Sequence, residues 1–298
     1  MQVFYRFFAL LACVIVLSCG KEDEGQAVPT TNQPTPRLIF KFKFDSTQVR
    51  LNNLGQTASI PAGHAGQSPD FHGISAHYIE MITTPFTQIG QGEVLFIGPE
   101  TTAGGPSAID ISQSVIVDEG ETFMSFPLSS ISPGSYEYIR VSLSYQNYDI
   151  KFSSSGIDFT GRLASFVGFN NYISTYKINT QTVALNDDRL QGYWGLEVPV
   201  PFSDTIVFTG QAPAGATTVP NPLASTSAIP AGSCVVTGSF DGDLTITGNE
   251  TEDIVVTLSL STNKSFEWLD TNGDGKFQPP GETVVDMGLR GLIAIRED

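Results

Sequence analysis

Leu38-Ile39-Phe40-Lys41-Phe42-Lys43-Phe44 opens the folded part of the chain and decides its fold class. From Phe40 onward, aromatic side chains alternate with lysines. Because successive side chains of a strand point to opposite faces, this order places the aromatics on one face and the lysines on the other. The stretch therefore predicts a β-strand with one buried face and one solvent-facing side.

The same two-residue period recurs along the chain. Residues 137–145 place one set of side chains on one side of a strand, namely Ile139, Val141, Leu143 and Tyr145, and residues 255–260 follow the same pattern. Clusters of Gly, Pro, Asn and Asp separate the short β-rich runs, and the chain holds 29 Gly and 18 Pro. This pattern predicts an all-β fold built as antiparallel β-sandwiches, with at most one short helix, around Ser75–Met81.

The domain organisation follows from length and from one polar break. About 260 residues remain after the N-terminal segments, which is enough for one or two domains. The break at Ser153-Ser154-Ser155-Gly156 predicts a β-sandwich-like domain at 37–152 and a second β-rich domain at 157–298. A single large sandwich with long excursions would produce a similar sequence pattern.

The first 18 residues have the features of an export signal. Arg6 precedes an unbroken apolar run, Phe7–Leu17. At 1.5 Å per residue this run spans roughly 16 Å, about half of a bilayer core, so it is too short to cross a membrane. The pair Ser18-Cys19 resembles the lipobox of bacterial lipoproteins, which implies cleavage after residue 18 and lipidation of Cys19. An ordinary signal peptide that contains a cysteine is the alternative.

The segment after Cys19 resembles the acidic export signal of Bacteroidota-type surface lipoproteins. Its sequence is Gly20-Lys21-Glu22-Asp23-Glu24, and residues 19–36 are polar and rich in Pro, Thr, Gln and Asn. The resemblance implies an outer-membrane protein, anchored by lipid and exposed on the cell surface, with an uncharacterised β-rich ectodomain. Without the resemblance, the same residues describe a solvated, flexible tether.

Charge and cysteine content narrow the function classes. The net charge is −16, and signal cleavage would remove only Arg6 among the charged residues. Such an acidic chain without a basic cluster is repelled by nucleic acid, so we exclude a nucleic-acid partner. If Cys13 leaves with the signal and Cys19 carries lipid, then Cys234 stands alone, no internal disulfide forms, and Cys234 is expected in a strand core.

One motif near the C-terminus resembles an EF-hand calcium loop. In Asp270-Thr271-Asn272-Gly273-Asp274-Gly275-Lys276, oxygen-bearing side chains occupy positions one, three and five. Gly275 at position six permits the sharp turn, and the Lys276 carbonyl takes position seven. Calcium binds hard oxygen ligands of this kind, so the motif predicts a structural calcium ion.

The second half of the motif departs from the EF-hand pattern. Position twelve is Gly281, Glu282 comes one residue late, and Pro279-Pro280-Gly281 disfavours an exiting helix. Glu282 or Asp286 is expected to close the shell. The candidate calcium ligands are therefore Asp270, Asn272, Asp274, Lys276, Gln278 and Glu282. An Asx-rich turn that needs no metal is the alternative, because Asn, Asp and Gly favour turns in any case.

The remaining chemistry-bearing residues support weaker hypotheses. His64, His72 and His77 lie close in sequence and would suit zinc or copper, although their spacing matches no standard ligand frame. Trp194 and Trp268 stand beside polar residues, as in sugar-binding sites. No standard enzyme motif is present. We therefore expect a surface binding or adhesion protein, with glycans or outer-membrane proteins as partners; a copper- or zinc-handling protein and a secreted hydrolase are the alternatives.

Overall fold

The computed structural model describes residues 35–200, 203–213, 216 and 234–297. The predicted signal peptide, Cys19 and the tether up to residue 34 lie outside these residues. Within the described residues the regular structure is β-strand, with two 3₁₀ turns, Ile111–Gln113 and Leu128–Ser130, and no α-helix. The prediction of an all-β fold is confirmed.

Eighteen strands follow one another along the described chain. In chain order they are β1 (Arg37–Asp45), β2 (His64–Gln67), β3 (Asp70–Ile82), β4 (Glu93–Ile97), β5 (Glu100–Thr101), β6 (Ala108–Asp110), β7 (Thr122–Pro127), β8 (Gly134–Ser154), β9 (Ile157–Phe166), β10 (Asn170–Lys177), β11 (Thr182–Leu190), β12 (Tyr193–Val198), β13 (Ile206–Gln211), β14 (Cys234–Ile246), β15 (Ile254–Ser261), β16 (Phe266–Leu269), β17 (Val284–Asp286) and β18 (Leu292–Arg296).

These strands form three sheets. The largest has 11 strands in the order β13-β12-β9-β8-β14-β18-β15-β1-β7, with β3 and β4 joined through the other edge of β8. A four-stranded sheet runs β11-β10-β6-β5, and a three-stranded sheet runs β17-β16-β2. The pairs β1–β15, β14–β18 and β6–β10 are parallel. The sheets are therefore antiparallel in most of their pairs and mixed in these three, because alternation along a strand carries no information on the direction of its neighbours.

Strand β1 has the orientation that its alternation predicts. Leu38, Phe40 and Phe42 are fully buried in the main core, while Lys41 and Lys43 face away from it. The strand lies between β15 and β7, which pair with its two edges. The alternating stretch that opens the folded part therefore forms an interior strand of the largest sheet.

Strand β8 is 21 residues long and joins both halves of the chain. One of its edges pairs with β14 and then with β9, and the other pairs with β3. The expected boundary at residues 153–156 is the hairpin turn between β8 and β9, where Ser155 and Gly156 have positive φ angles. The chain from Thr35 onward clusters as one compact unit.

The expected helix at Ser75–Met81 is wrong, because these residues lie within β3. From Gly73 to Ile82 every residue of β3 is buried. A strand buried on both faces loses its polar/apolar alternation, and the resulting apolar run does not distinguish a strand from a buried helix.

The smaller sheets pack on the large one. Aromatic side chains join the four-stranded sheet to β8, β9 and β12, with Phe166 and Tyr176 in edge-to-face contact. Cys234 is buried in β14, as predicted, and is a free thiol. No helix in the described part of the chain is both long enough and apolar enough to cross a membrane.

Candidate functional site

The three-stranded sheet positions the predicted calcium loop. Strand β16 ends at Leu269, and the loop 270–282 follows at once. The amide of Asp270 donates to the carbonyl of Gly63, and the amide of Leu269 donates to the carbonyl of Thr283, at 3.0 and 2.9 Å. Both ends of the loop are therefore fixed to neighbouring backbone.

The first half of the loop folds around its own side-chain oxygens. Asp270 accepts hydrogen bonds from the amides of Gly273 (2.8 Å) and Gly275 (3.0 Å). Asn272 accepts from the amide of Asp274 at 3.0 Å, which is an Asx turn. Gly275 has a φ of +71°, which a residue with a side chain rarely adopts. The spacing of this motif thus produces the tight loop that the sequence predicts.

The second half of the loop closes back on the first. The Glu282 carboxylate is 5 % exposed and accepts from the amides of Thr271 (3.1 Å) and Gln278 (2.8 Å). The Gln278 side chain contacts both Asn272 (2.9 Å) and Asp274 (2.6 Å). The six predicted ligand residues therefore belong to one closed loop, although Glu282 stands one position late.

Asp286 does not take part in this loop. It is 4 % exposed and pairs with Arg290 instead. Of the two carboxylates expected to close the shell, Glu282 is therefore the one that lies against the loop.

The donor set of the loop suits calcium. Asp270, Asp274 and Glu282 supply carboxylate oxygens, and Asn272 and Gln278 supply amide oxygens. The single basic side chain in the loop, Lys276, extends to Asp158 at 3.1 Å. Hard oxygens with excess negative charge are the ligands that calcium prefers, whereas zinc prefers nitrogen and sulfur.

A groove of about 450 Å³, here called the loop groove, lies between the loop 270–282 and the β8–β9 hairpin. Two contacts hold these walls together: the amide of Ser153 donates to the carbonyl of Phe277 at 2.8 Å, and Lys276 pairs with Asp158. The residues that line the groove are Gln67, Lys151, Phe152, Ser153, Asp158, Phe159, Thr160, Trp268, Gly275, Lys276 and Phe277. The loop therefore forms one wall of a concave surface.

The two tryptophans lie in different surroundings. Trp268 lines the loop groove but is 1 % exposed, so its ring face is covered. Trp194 is half-buried and lines a second crevice of about 390 Å³, together with Pro279 and Pro280. An exposed aromatic surface in the loop groove must therefore come from other residues.

The three histidines contact three different carboxylates. His64 Nδ1 lies 2.6 Å from Glu267, His72 Nε2 lies 3.0 Å from Asp149, and His77 Nε2 lies 3.0 Å from Glu100. The structure does not bring the imidazoles together, as a shared copper or zinc site would require. In the described part of the chain, the side-chain partners of the three imidazoles are carboxylates, not a hydroxyl or a thiol.

One group of metal-ligating residues includes a histidine. Side-chain ligand atoms of Asp70, His72 and Asp149 lie within 4.8 Å of one another. Arg162 already pairs with both oxygens of Asp149, which opposes binding of a cation there. Burial raises the pKa of Asp149, but the hydrogen bonds and charges of Arg162 and His72 together outweigh it and hold this pKa below its usual range. Asp149 therefore belongs to a hydrogen-bonded ion pair with Arg162.

His77 is expected to make stability depend on pH. Burial lowers its pKa, against the charge and hydrogen bond of Glu100. Below about pH 6.5 the unfolded chain binds a proton that folded His77 resists, so stability decreases as pH falls through this range. We expect a smaller fall in melting temperature between about pH 7.5 and 5.5 for His77→Phe than for the wild type. His72→Gln is the matched control, and an unchanged pH dependence in His77→Phe would contradict the prediction.

A buried ionic cluster next to the loop was not evident from the sequence. Glu267 is 2 % exposed and binds Arg50 Nη2 at 2.6 Å as well as His64. Arg50 is 217 residues from Glu267, and no local pattern links positions so far apart.

Comparison of the chain with family models, with curated proteins and with solved structures found no match.

Proposed function

We propose that this chain is a lipid-anchored cell-surface binding protein, without enzymatic activity, whose loop 270–282 holds a structural calcium ion. The observation that carries the proposal is the closed loop itself. Asp270, Asn272 and Asp274 accept amides of their own turn, and Glu282 returns to the same turn. This arrangement gathers carboxylate and amide oxygens, and its first three side chains have the spacing that calcium loops use.

The surface address rests on the N-terminal sequence. The apolar run Phe7–Leu17 followed by Ser18-Cys19 supports lipidation of Cys19, and the acidic segment after it supports export to the cell surface. Extracellular calcium sites have dissociation constants of about 0.1–1 mM, which suits a protein outside the cell. The acidic charge of the chain supports anchoring by lipid rather than by a cationic surface.

The expected role of calcium is to stiffen the C-terminal part of the fold. The loop connects β16 to β17, and its residues Gly275–Phe277 form a wall of the loop groove. Without a cation, three carboxylates share one short loop and repel one another. Binding of calcium removes this repulsion and fixes this wall of the loop groove in place. The role of the calcium ion would thus be structural.

Calcium is expected to raise the melting temperature of the purified protein. For a dissociation constant of about 0.1–1 mM, a concentration of about 10 mM stabilises the folded state by about 1.4–2.7 kcal/mol. This corresponds to an increase of about 3–8 °C for a domain of this size. Calorimetric titration should show heat of binding over the same range, and Asp270→Ala/Asp274→Ala should lose both effects.

The matched control is Asp241→Ala/Asp243→Ala, which removes two exposed carboxylates from the β14 region. It should keep the full response to calcium. The calcium proposal fails if the wild type shows neither heat nor a shift, or if the loop variant and the control respond alike.

A further inference from the structure

The second crevice, which Trp194 lines, has a floor formed by one face of the large sheet. Ile150, Leu163 and Leu196 come from the neighbouring strands β8, β9 and β12, and all three line the crevice. In the register of these strands, Leu163 lies opposite Tyr148 on one side and Leu196 on the other, so these side chains share a face. Ile150 shares it too, because it follows Tyr148 by two residues. The floor is therefore a continuous apolar surface across three strands.

Trp194 extends this floor towards β13. It precedes Leu196 by two residues, so its side chain leaves the same face of the sheet, and it is half-buried. A Cβ atom at Gly210 of β13 would lie only 2.5 Å from Cζ2 of Trp194, so the indole rests directly against this glycine. The absence of a side chain at Gly210 thus gives the ring room to lie across β13 and to present aromatic surface to the crevice.

The other wall of the crevice comes from β16 and the loop 270–282. Phe266 and Phe277 both line it, and their rings pack edge to face with centroids 5.2 Å apart. Pro279 and Pro280 bring two further rings to the same wall. The crevice has a volume of about 390 Å³ and is lined mainly by apolar and aromatic side chains, which is the size and composition of a small-molecule site.

The crevice offers no free charge to a ligand. Glu282 is the one ionisable residue that lines it in the described part of the chain. Its carboxylate is buried and already accepts hydrogen bonds from the amides of Thr271 and Gln278. Because a charged group is costly to bury without a partner, the lining favours an uncharged ligand over a charged one.

We propose that the second crevice binds an uncharged aromatic compound. Its ring stacks on the indole of Trp194 and packs against Pro279 and Pro280. Aromatic pairs in such geometries gain energy beyond the area they bury, which favours a ring over an aliphatic chain. The inference deepens the proposed binding function and rests on it, because calcium in the loop would fix the wall to which Phe277 and the two prolines belong.

The test compares two compounds that share one fused aromatic ring system, 2-naphthol and 2-naphthoate. At about pH 7 the phenol-type hydroxyl keeps its proton, whereas the carboxylic acid has lost its proton. Calorimetry with the purified protein, in calcium above the roughly 0.1–1 mM range of such sites, is expected to show about ten-fold tighter binding of 2-naphthol.

Two variants locate the binding site. Trp194→Leu removes the stacking surface, and Gly210→Ala displaces the indole without removing it, so each should weaken the binding of 2-naphthol about five-fold. Phe86→Leu and Gly134→Ala are the matched controls and should leave the binding unchanged. Phe86 is 63 % exposed in the β3–β4 connection, and a Cβ atom at Gly134 would lie 3.7 Å from its nearest neighbour.

Each outcome bears on the inference separately from the calcium proposal. If calcium raises the melting temperature but 2-naphthol does not bind, the inference is wrong and the calcium loop stands. Equal binding of the two compounds, or binding that survives both Trp194→Leu and Gly210→Ala, also overturns it. If cellobiose binds through Trp194 while 2-naphthol does not, the crevice is a sugar site and the inference is again wrong. Binding of 2-naphthol that depends on Trp194 supports the inference even if calcium produces no shift.

Discussion

Replacement of Arg140 by methionine is expected to lower the free energy of unfolding by about 3–5 kcal/mol, because it leaves a buried carboxylate without its partner. Arg140 and Glu80 are both fully buried, and Arg140 Nη1 lies 3.0 Å from Glu80 Oε2. The other carboxylate oxygen accepts the amides of Gly90 and Gly92 at 2.9 and 2.7 Å. Chemical denaturation of both proteins measures the difference.

A second variant separates loss of the ion pair from loss of packing. In Arg140→Met/Glu80→Gln the glutamine oxygen still accepts the two glycine amides but carries no charge. We therefore expect the double variant to be more stable than Arg140→Met alone. The matched surface control is Lys41→Met, whose partner Glu297 is exposed, and its cost should be below about 1 kcal/mol. If Arg140→Met and Lys41→Met lower the free energy of unfolding equally, the buried pair stabilises the fold no more than the exposed pair does.

Strand β1 and this ion pair show how far the sequence specifies the fold. The alternation in residues 40–44 predicts which side chains of β1 are buried, because one face of that strand packs on the core. In β8, burial reaches both faces between Ile139 and Tyr148, so polar residues such as Arg140 occupy interior positions. Glu80, the partner of Arg140, is 60 residues away in the chain and lies opposite it only through the β3–β8 register. No local periodicity encodes such a pairing.

The candidate site, like the fold, can be predicted from the sequence only where neighbouring residues determine it. The loop at 270–282 can be predicted because its residues are adjacent and their spacing sets their hydrogen bonds. The role of Glu282 over Asp286 depends on where the chain turns after Pro280, which spacing alone does not determine. The loop groove could not be predicted, since its walls come from β2, the β8–β9 hairpin, β16 and the loop. Bonds from Gln67 and Phe277 to β8 help to hold these distant segments together.

The other large effect is expected from the strand that opens the folded chain. Phe40→Ala should lower the free energy of unfolding by about 3–5 kcal/mol, because it removes a fully buried ring and leaves a cavity. The Phe40 ring packs against Phe126 on β7, with centroids 6.2 Å apart, and its backbone pairs with Val256 on β15. The neighbouring variant Lys41→Ala removes a side chain from the opposite face and should cost less than about 1 kcal/mol. Denaturant midpoints of the two variants measure the contrast, and similar midpoints would mean that the alternation of β1 does not determine which residues stabilise the core.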